Sequence, residues 1–150
     1  MITRLRKQHY SFLNDDPVRP HLSHEWRTQY PREVYALYED KYAQYDEPLT
    51  EDPLAIICVA YTNSVPTTEA DLDIAGTDVA VFYTVWSYSR GAGRELVNGV
   101  AQIIKHSHAH GCSRYVTLSP LTAMAERFHL TNGAEFIARH DTCQNFEYHL

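Results

Sequence analysis

Residues 78–97 read DVAVFYTVWSYSRGAGRELV, and this stretch decides the fold because it joins a strand to a helix through a glycine turn. Asp78 to Trp86 is rich in Val, Phe and Tyr, which favour strands. Ser87 to Gly93 is predicted as the turn. The helix predicted for Arg94 to His110 carries apolar residues at helical spacing on one face, namely Leu96, Val97, Val100, Ile103 and Ile104.

The turn has the composition of a phosphate-binding site. Glycine lets the backbone turn sharply and approach a ligand, because it has no Cβ. The first N–H groups of a helix have no acceptor in the helix, and the dipole makes that end positive. Phosphate oxygens therefore bind there readily, and Arg90 and Arg94 add positive charge. A glycine turn before a helix is also a common plain connection, so the turn alone leaves both interpretations open.

Two other glycine-rich phosphate motifs do not fit this turn. A dinucleotide-binding G-x-G-x-x-G would need a third glycine where the chain has Leu96. A P-loop would need Gly-Lys followed by Ser or Thr, and the turn lacks this pattern.

The rest of the chain predicts one α/β (α+β) domain over residues 1–150, with its best helices in the second half. Further strands are predicted at Ile2 to Arg6, Glu33 to Tyr38, Leu54 to Tyr61, Arg114 to Leu118, Ala134 to Ala138 and Phe146 to Leu150. A short helix is predicted at Leu121 to Leu130. Prolines make His9 to Pro31 irregular with at most a short helix, and the acidic stretch Glu39 to Pro53 is predicted as a loop.

Composition narrows the class of protein. The chain has 150 residues, 44% of them hydrophobic, which predicts a soluble folded domain. A formal charge of −6 gives no general attraction for nucleic acid. Three cysteines without a CxxC pair indicate reduced thiols in a cytoplasmic protein, with Cys58 in the core. No stretch approaches the roughly 20 apolar residues of a membrane helix, and no signal peptide is expected before the first strand.

The turn resembles a family motif. Tyr88 to Gly93 is similar to the (Gln/Arg)-x-x-Gly-x-(Gly/Ala) turn on which GCN5-related N-acetyltransferases (GNATs) hold the pyrophosphate of acyl-CoA. Gly91 and Gly93 match the two small positions, whereas Tyr88 stands where Gln or Arg is expected.

A second stretch, residues 122–134, resembles the family pattern Asn-x-x-Ala-x-x-Phe-Tyr-x-x-x-Gly-Phe. Ala125, Phe128 and Gly133 match this pattern. The chain departs from it at Thr122 in place of Asn, His129 in place of Tyr and Ala134 in place of Phe.

The resemblance implies a fold and an activity. The fold is a mixed, mostly antiparallel sheet of six to seven strands flanked by helices, with a splay between strands 4 and 5. The activity is acetyl transfer from acetyl-CoA to an amine of a small molecule or protein, without a metal. The implied cofactor-binding residues are Val85, Trp86, Ser87, Tyr88, Ser89, Arg90, Gly91, Ala92, Gly93 and Arg94. Edge strands of this fold often pair between subunits, so a homodimer is possible.

His129 is the predicted proton donor to the departing thiolate, because the ordinary pKa of histidine suits proton transfer near neutrality. The alternative is a packing histidine on the short helix. A general base is not evident, since Ala80 to Trp86 contains no carboxylate. Asp71, Asp73 and Asp78 precede that strand and are interpreted as loop caps.

Two further groups of residues have a functional and a structural interpretation. The proline-rich run around Arg19 and His21 either lines the substrate side or is a surface loop. His106 and His110 stand four apart, as zinc ligands can, but cations near a helix C-terminus also complement its dipole. We therefore expect no metal.

The pattern of residues 116–148 is also similar to acetyltransferase-like proteins of tailed phages. This similarity leads to an alternative function, a non-catalytic binding or structural module with virion proteins as partners. The protein would then reside in the host cytoplasm or the virion.

Overall fold

A computed structural model describes residues 1–39, 51–107 and 111–150. The strands in these ranges are β1 (Ile2–Arg4), β2 (Arg32–Leu37), β3 (Ala55–Thr62), β4 (Val79–Ser87), β5 (Arg114–Thr117), β6 (Ser119–Pro120), β7 (Glu135–Arg139) and β8 (Cys143–Tyr148). The α-helices are α1 (His24–Thr28), α2 (Ala92–Ser107) and α3 (Ala123–Thr131). Two 3-10 helices cover Lys7–Asp15 and Glu69–Asp73.

The strands of the described residues form one eight-stranded sheet in the order β1-β2-β3-β4-β5-β8-β6, and β7 also pairs with β8. β4 and β5 are parallel, and the other pairs are antiparallel. This is the predicted mixed, mostly antiparallel sheet. It exceeds the predicted six to seven strands because β6, with two residues, is too short to leave a sequence pattern.

Both faces of the sheet are covered. β3 is buried along its whole length, as its continuous apolar run indicates. On one face α2 packs Leu96, Val97 and Val100 against β3 and β4. On the other face the first 3-10 helix and α1 cover the sheet, with Leu13 fully in the core. The core is therefore two apolar layers with the sheet between them.

Most predicted elements are confirmed. α2 begins at Ala92, two residues before the predicted start, and the residues 108–110 of the predicted helix lie outside the described ranges. The irregular N-terminal segment holds α1 and a 3-10 helix of nine residues, more helix than predicted. The buried residues of that 3-10 helix are His9 and Leu13. Most of the predicted loop from Glu39 to Pro53 also lies outside the described residues.

Cys58, Cys112 and Cys143 are free thiols, and Cys58 is fully buried, as predicted. None of the helices in the described ranges has the length and apolar character required to span a bilayer.

The predicted splay is present between β4 and β5. The two strands pair only from Val79 to Phe82, although β4 continues to Ser87. On the other side of β4, Phe82 pairs with Val59 and Thr84 pairs with Cys58, so Tyr83 is an extra residue in β4. Such a bulge bends a strand and increases its local twist. β4 therefore leaves β5 at Tyr83 and leads directly into the glycine turn.

Candidate functional site

The turn between β4 and α2 is open. Ser87, Tyr88, Ser89, Arg90 and Gly91 are all exposed. Gly91 has a φ of 80°, and nothing lies within 4 Å of the position that its Cβ would occupy. A ligand can thus approach the backbone here without meeting a side chain.

Several amide groups of this turn have no acceptor. Within the described residues, no oxygen accepts a hydrogen bond from the backbone N–H of Ser89, Arg90, Gly91, Gly93 or Arg94. The neighbouring Ala92 amide donates to Ser89 O at 3.1 Å, and the Glu95 amide donates to Gly91 O at 3.2 Å. The exposed guanidinium groups of Arg90 and Arg94 lie on the same segment. Unpaired amides and positive charge at a helix start are what an anionic oxygen requires.

The strand before the turn also presents backbone groups. The Tyr88 amide donates to Leu54 O at 2.8 Å, so in the alternation of an antiparallel ladder Thr84 and Trp86 also bond to β3. Val85 and Ser87 consequently direct their N–H and C=O groups away from β3, toward the gap left by β5. These groups continue the row of free amides from the turn into the splay.

Tyr88, which departs from the family motif, has a structural role. Its phenol donates a 2.7 Å hydrogen bond to Asp15 Oδ2 and accepts one of 2.9 Å from Trp86 Nε1. Its ring meets Phe12 edge to face. Burial, followed by the hydrogen bond to Asp15, raises the pKa of Tyr88 to about 12. Tyr88 therefore attaches the first 3-10 helix to the end of β4.

The predicted cofactor-binding residues fall into two groups, those whose amides are already bonded within the protein and those whose amides are not. The amides of Trp86, Tyr88 and Ala92 are occupied by the protein itself. Within the described residues, the amides of Ser89, Arg90, Gly91, Gly93 and Arg94 have no acceptor, although Gly93 itself is buried, and the backbone groups of Val85 and Ser87 point away from β3.

Arg19, a predicted substrate-side residue, lies inside the splay. It is 5% exposed, and its Nη1 donates to the carbonyl oxygen of Tyr83 and, at 3.2 Å, to Thr84 Oγ1. Its Nη2 donates to Leu118 O at 3.0 Å, and its Nε lies 3.0 Å from Glu69 Oε1. Arg19 thus bridges the ends of β4 and β5.

His21, the second predicted substrate-side residue, meets the same carboxylate. Its Nε2 lies 2.8 Å from Glu69 Oε2, and its side chain is 59% exposed. The structure therefore brings Arg19 and His21 together at Glu69. The sequence gives no signal for this contact, since α1, β2 and β3 lie between Arg19 and Glu69 in the chain.

Solved structures with this architecture cover nearly the whole chain. Malonyl-CoA decarboxylase from Rhodopseudomonas palustris is 18% identical, with a TM-score of 0.73 over 100% of this chain and 60% of its own. A protein of Desulfovibrio desulfuricans assigned to the GNAT acetyltransferases is 14% identical, with a TM-score of 0.64 over 99% of this chain and 97% of its own. Aminoglycoside N-acetyltransferase AAC(6')-Iy, solved in complex with CoA, is 14% identical, with a TM-score of 0.60 over 94% of this chain and 96% of its own.

The chain has the GNAT fold. At the level of sequence, no family model and no curated protein matches it. The chain spans 35%, 60% and 33% of the length of three malonyl-CoA decarboxylases, from Agrobacterium vitis, Rhodopseudomonas palustris and Cupriavidus metallidurans. It matches only a part of each of those proteins.

His129 occupies the tyrosine position of the second GNAT motif, on α3, but its surroundings do not support the predicted role as proton donor. It is 5% exposed, stacks on Phe146, and its Nδ1 lies 2.7 Å from Tyr148 Oη. Burial lowers the pKa of His129 to about 4. The imidazole is therefore neutral and enclosed at neutral pH, where an acid should carry a proton. The preceding residue, Phe128, is the one that contacts the α2 start, 3.5 Å from the Cβ position of Gly93.

The segment before β4 contains the aspartates that the sequence interprets as loop caps rather than as a general base. Asp71 accepts hydrogen bonds from the amides of Thr67, at 2.9 Å, and Thr68, at 3.3 Å. The amide of Thr67 lowers the pKa of Asp71. Asp73 accepts from Trp26 Nε1 at 2.7 Å. Asp71 and Asp73 therefore hold the second 3-10 helix in place, and Glu69 is the carboxylate that contacts Arg19.

The loop that carries Arg19 and His21 is fixed by a buried ion pair that the sequence analysis missed. Arg27 and Asp16 are both fully buried, with Arg27 Nη1 2.7 Å from Asp16 Oδ2. Asp16 Oδ1 accepts from the Arg19 amide at 2.9 Å, and Arg27 Nη2 donates to Arg19 O at 2.6 Å. Arginine and aspartate are ordinary surface residues, so composition gives no sign of this burial.

For metals, the described ranges contain no group of three or more His, Cys, Asp or Glu side chains that could hold an ion. His110 of the histidine pair lies outside those ranges.

Proposed function

We propose that the protein is an acyl-CoA-dependent N-acyltransferase that transfers an acetyl group from acetyl-CoA to an amine. One observation carries this proposal, namely the unpaired amides of Ser89, Arg90, Gly91, Gly93 and Arg94 at an open helix start. A diphosphate offers several anionic oxygens close together, which is the ligand such a turn accepts. Arg90 and Arg94 add charge on the same segment.

The splay supports a path for the rest of the cofactor. The backbone groups of Val85 and Ser87 face the gap and are suited to the amides of a pantetheine arm. An arm that follows β4 from the turn would bring the thioester to the bulge at Tyr83. Backbone N–H groups at such a point can stabilise the oxyanion that forms during acyl transfer.

The comparisons support an acyl-CoA ligand and favour the transferase among possible reactions. The decarboxylases are named for a CoA thioester, and the aminoglycoside N-acetyltransferase was solved with CoA. The chain matches both N-acetyltransferase structures over more than nine-tenths of each partner, whereas it covers 60% or less of each decarboxylase. The part shared with the decarboxylases is consistent with a common thioester-binding unit.

The alternative is a module that keeps the fold without catalysis. The enclosed, neutral His129 and the structural use of Tyr88 favour it, because both positions belong to the family motifs. This alternative predicts no affinity for acetyl-CoA and association with other proteins, among them virion proteins.

Calorimetric titration with acetyl-CoA tests the proposal. We expect binding by the wild-type chain and its loss in Gly91→Asp, because a carboxylate would be placed among the free amides. Gly111→Asp is a matched control, since Gly111 also has a positive φ, of 66°, and open space around it. Absence of heat at millimolar acetyl-CoA, or equal binding by Gly91→Asp, would contradict the proposal.

A further inference from the structure

A chain of polar contacts leads from the surface into the splay. His21 Nε2 lies 2.8 Å from Glu69 Oε2, and Glu69 Oε1 lies 3.0 Å from Arg19 Nε. The same guanidinium donates to the carbonyl oxygens of Tyr83 and Leu118, where β4 and β5 separate. His21 and Glu69 thus form a dyad attached through one buried side chain to the strand ends.

We propose that His21, oriented by Glu69, is the general base that removes a proton from the acceptor amine. This inference rests on the proposed transferase function, because it assumes that the thioester lies in the gap beside Tyr83. A carboxylate that accepts the Nε2–H of an imidazole fixes its tautomer and stabilises the imidazolium that forms. The Nδ1 lone pair of His21 is then free to accept a proton, and no described residue bonds to it.

The exposures of the two side chains suit these roles. The side chain of His21 is 59% exposed and can meet a substrate, whereas that of Glu69 is 38% exposed and lies behind it. Arg19, on the same loop as His21, is the other charged group that contacts the dyad within the described residues. Its guanidinium neutralises Glu69 in part and holds the carboxylate toward the splay.

Hydrogen bonds fix the backbone segments that carry His21 and Glu69. Asp16 Oδ1 accepts hydrogen bonds from the amides of Val18, at 2.8 Å, and Arg19, at 2.9 Å. On the opposite side, Asp71 holds the turn before Glu69 through the amides of Thr67 and Thr68. A base is effective when its position is set before the substrate binds.

We place the acceptor in a polar cavity at the start of the second 3-10 helix. It has a volume of about 460 Å³ and is lined by Thr67, Thr68, Arg139, His140, Asp141 and Thr142. Thr68 directly precedes Glu69 in the chain. The threonine hydroxyl groups and the Asp141 carboxylate can accept hydrogen bonds from a polar primary amine, and Arg139 in the same lining can donate to other polar groups of the acceptor.

The reaction balances with this base. An N–C bond forms between the amine and the acyl carbon, and the C–S bond of the thioester breaks. Two protons leave the ammonium nitrogen. His21 Nδ1 takes the first and passes it to bulk water, and the second ends on the sulfur of the CoA thiol.

The experiment measures thiol release from acetyl-CoA with spermidine, an aminoglycoside and a free peptide N-terminus as acceptors. We expect His21→Ala to lower kcat/KM roughly 100-fold or more, the usual contribution of a general base, with unchanged calorimetric binding of acetyl-CoA. Added imidazole should restore part of the lost rate. Glu69→Gln should lower kcat/KM as well, because the imidazole loses the carboxylate that fixes its tautomer. His24→Ala is the control, as His24 is an exposed histidine paired with Glu25 on α1.

The outcomes separate the two proposals. A wild-type chain that does not bind acetyl-CoA, or releases no thiol with any acceptor, would contradict the transferase function and the base together. Thiol release that persists in His21→Ala with the wild-type pH profile would overturn the base alone. A loss of rate that is as large in His24→Ala would overturn it as well.

Discussion

The guanidinium of Arg19 donates a 3.0 Å hydrogen bond to the carbonyl oxygen of Leu118, and so joins the loop before α1 to the end of β5. The same group bonds the carbonyl oxygen of Tyr83 on β4. One buried side chain therefore supplies donors to two carbonyl groups that lost their partners when the strands separated. This explains how the sheet tolerates an open gap at the place where a cofactor would enter.

Replacement of Arg19 should destabilise the fold. Arg19→Met leaves the carbonyl oxygens of Tyr83 and Leu118 buried without a donor, at a cost of about 1–3 kcal/mol for each group. Urea unfolding should show a fall in unfolding free energy of roughly 2–6 kcal/mol in total. Arg90→Met, at an exposed arginine, should change the midpoint little. Equal stability of Arg19→Met and wild type would show that the bridge contributes nothing.

Loss of the Asp16 charge should also destabilise the fold. Asp16→Asn leaves the guanidinium of Arg27 fully buried without a counter-ion, and breaking such a pair typically costs about 3–5 kcal/mol. The measurement is again the urea midpoint, with the exposed Asp141→Asn as control. A midpoint unchanged by Asp16→Asn would mean that the pair is already disrupted in solution.

Local elements could be predicted from the sequence, whereas contacts between residues far apart in the chain could not. The strand, turn and helix from Val79 to Ser107 follow from local patterns, because apolar runs and helical spacing act over a few residues. The splay was expected from family resemblance, and its cause, the bulge at Tyr83, has no local pattern. Arg27 and Glu69 were missed because their partners lie far away in the chain. The sequence predicts an ordinary histidine pKa for His129, whereas burial against Phe146 and Tyr148 lowers that pKa.

The burial of His129 predicts a pH dependence of stability. Burial lowers the pKa of His129 from 6.5 to about 4. Between these values the unfolded chain takes up a proton that the folded protein does not. The neutral His129 therefore makes its whole contribution to the unfolding free energy above pH 6.5. This contribution, about 3 kcal/mol, is lost as the pH falls toward 4.

His129→Gln should remove this dependence, since glutamine can still bond Tyr148 Oη without titrating. Urea unfolding at several pH values between 4 and 7 compares the slopes. His149→Gln is the control, because His149 is exposed and should leave the slope of the wild type in place. A slope that His129→Gln does not reduce would show that His129 is accessible to protons in the fold.

The contact between Tyr88 and Asp15 predicts a local effect. Tyr88→Phe removes the hydrogen bonds to Asp15 and Trp86 and should lower the unfolding free energy by about 1 kcal/mol, since the phenol is partly exposed. Hydrogen exchange should become faster in Lys7–Asp15, the 3-10 helix that Tyr88 attaches. Tyr30→Phe, at an exposed tyrosine, should leave the exchange of this helix unchanged. Wild-type exchange rates in Tyr88→Phe would refute the attachment.

The most direct test of the account is an amide NMR titration of the ¹⁵N-labelled protein with CoA. The free amides of Ser89, Arg90, Gly91, Gly93 and Arg94 should show the largest shifts, and Gly111, an exposed glycine elsewhere, should show none. We predict that these shifts all saturate at the same concentration of CoA. Absence of shifts at residues 89–94, or shifts centred elsewhere in the chain, would contradict the claim that this turn holds a diphosphate.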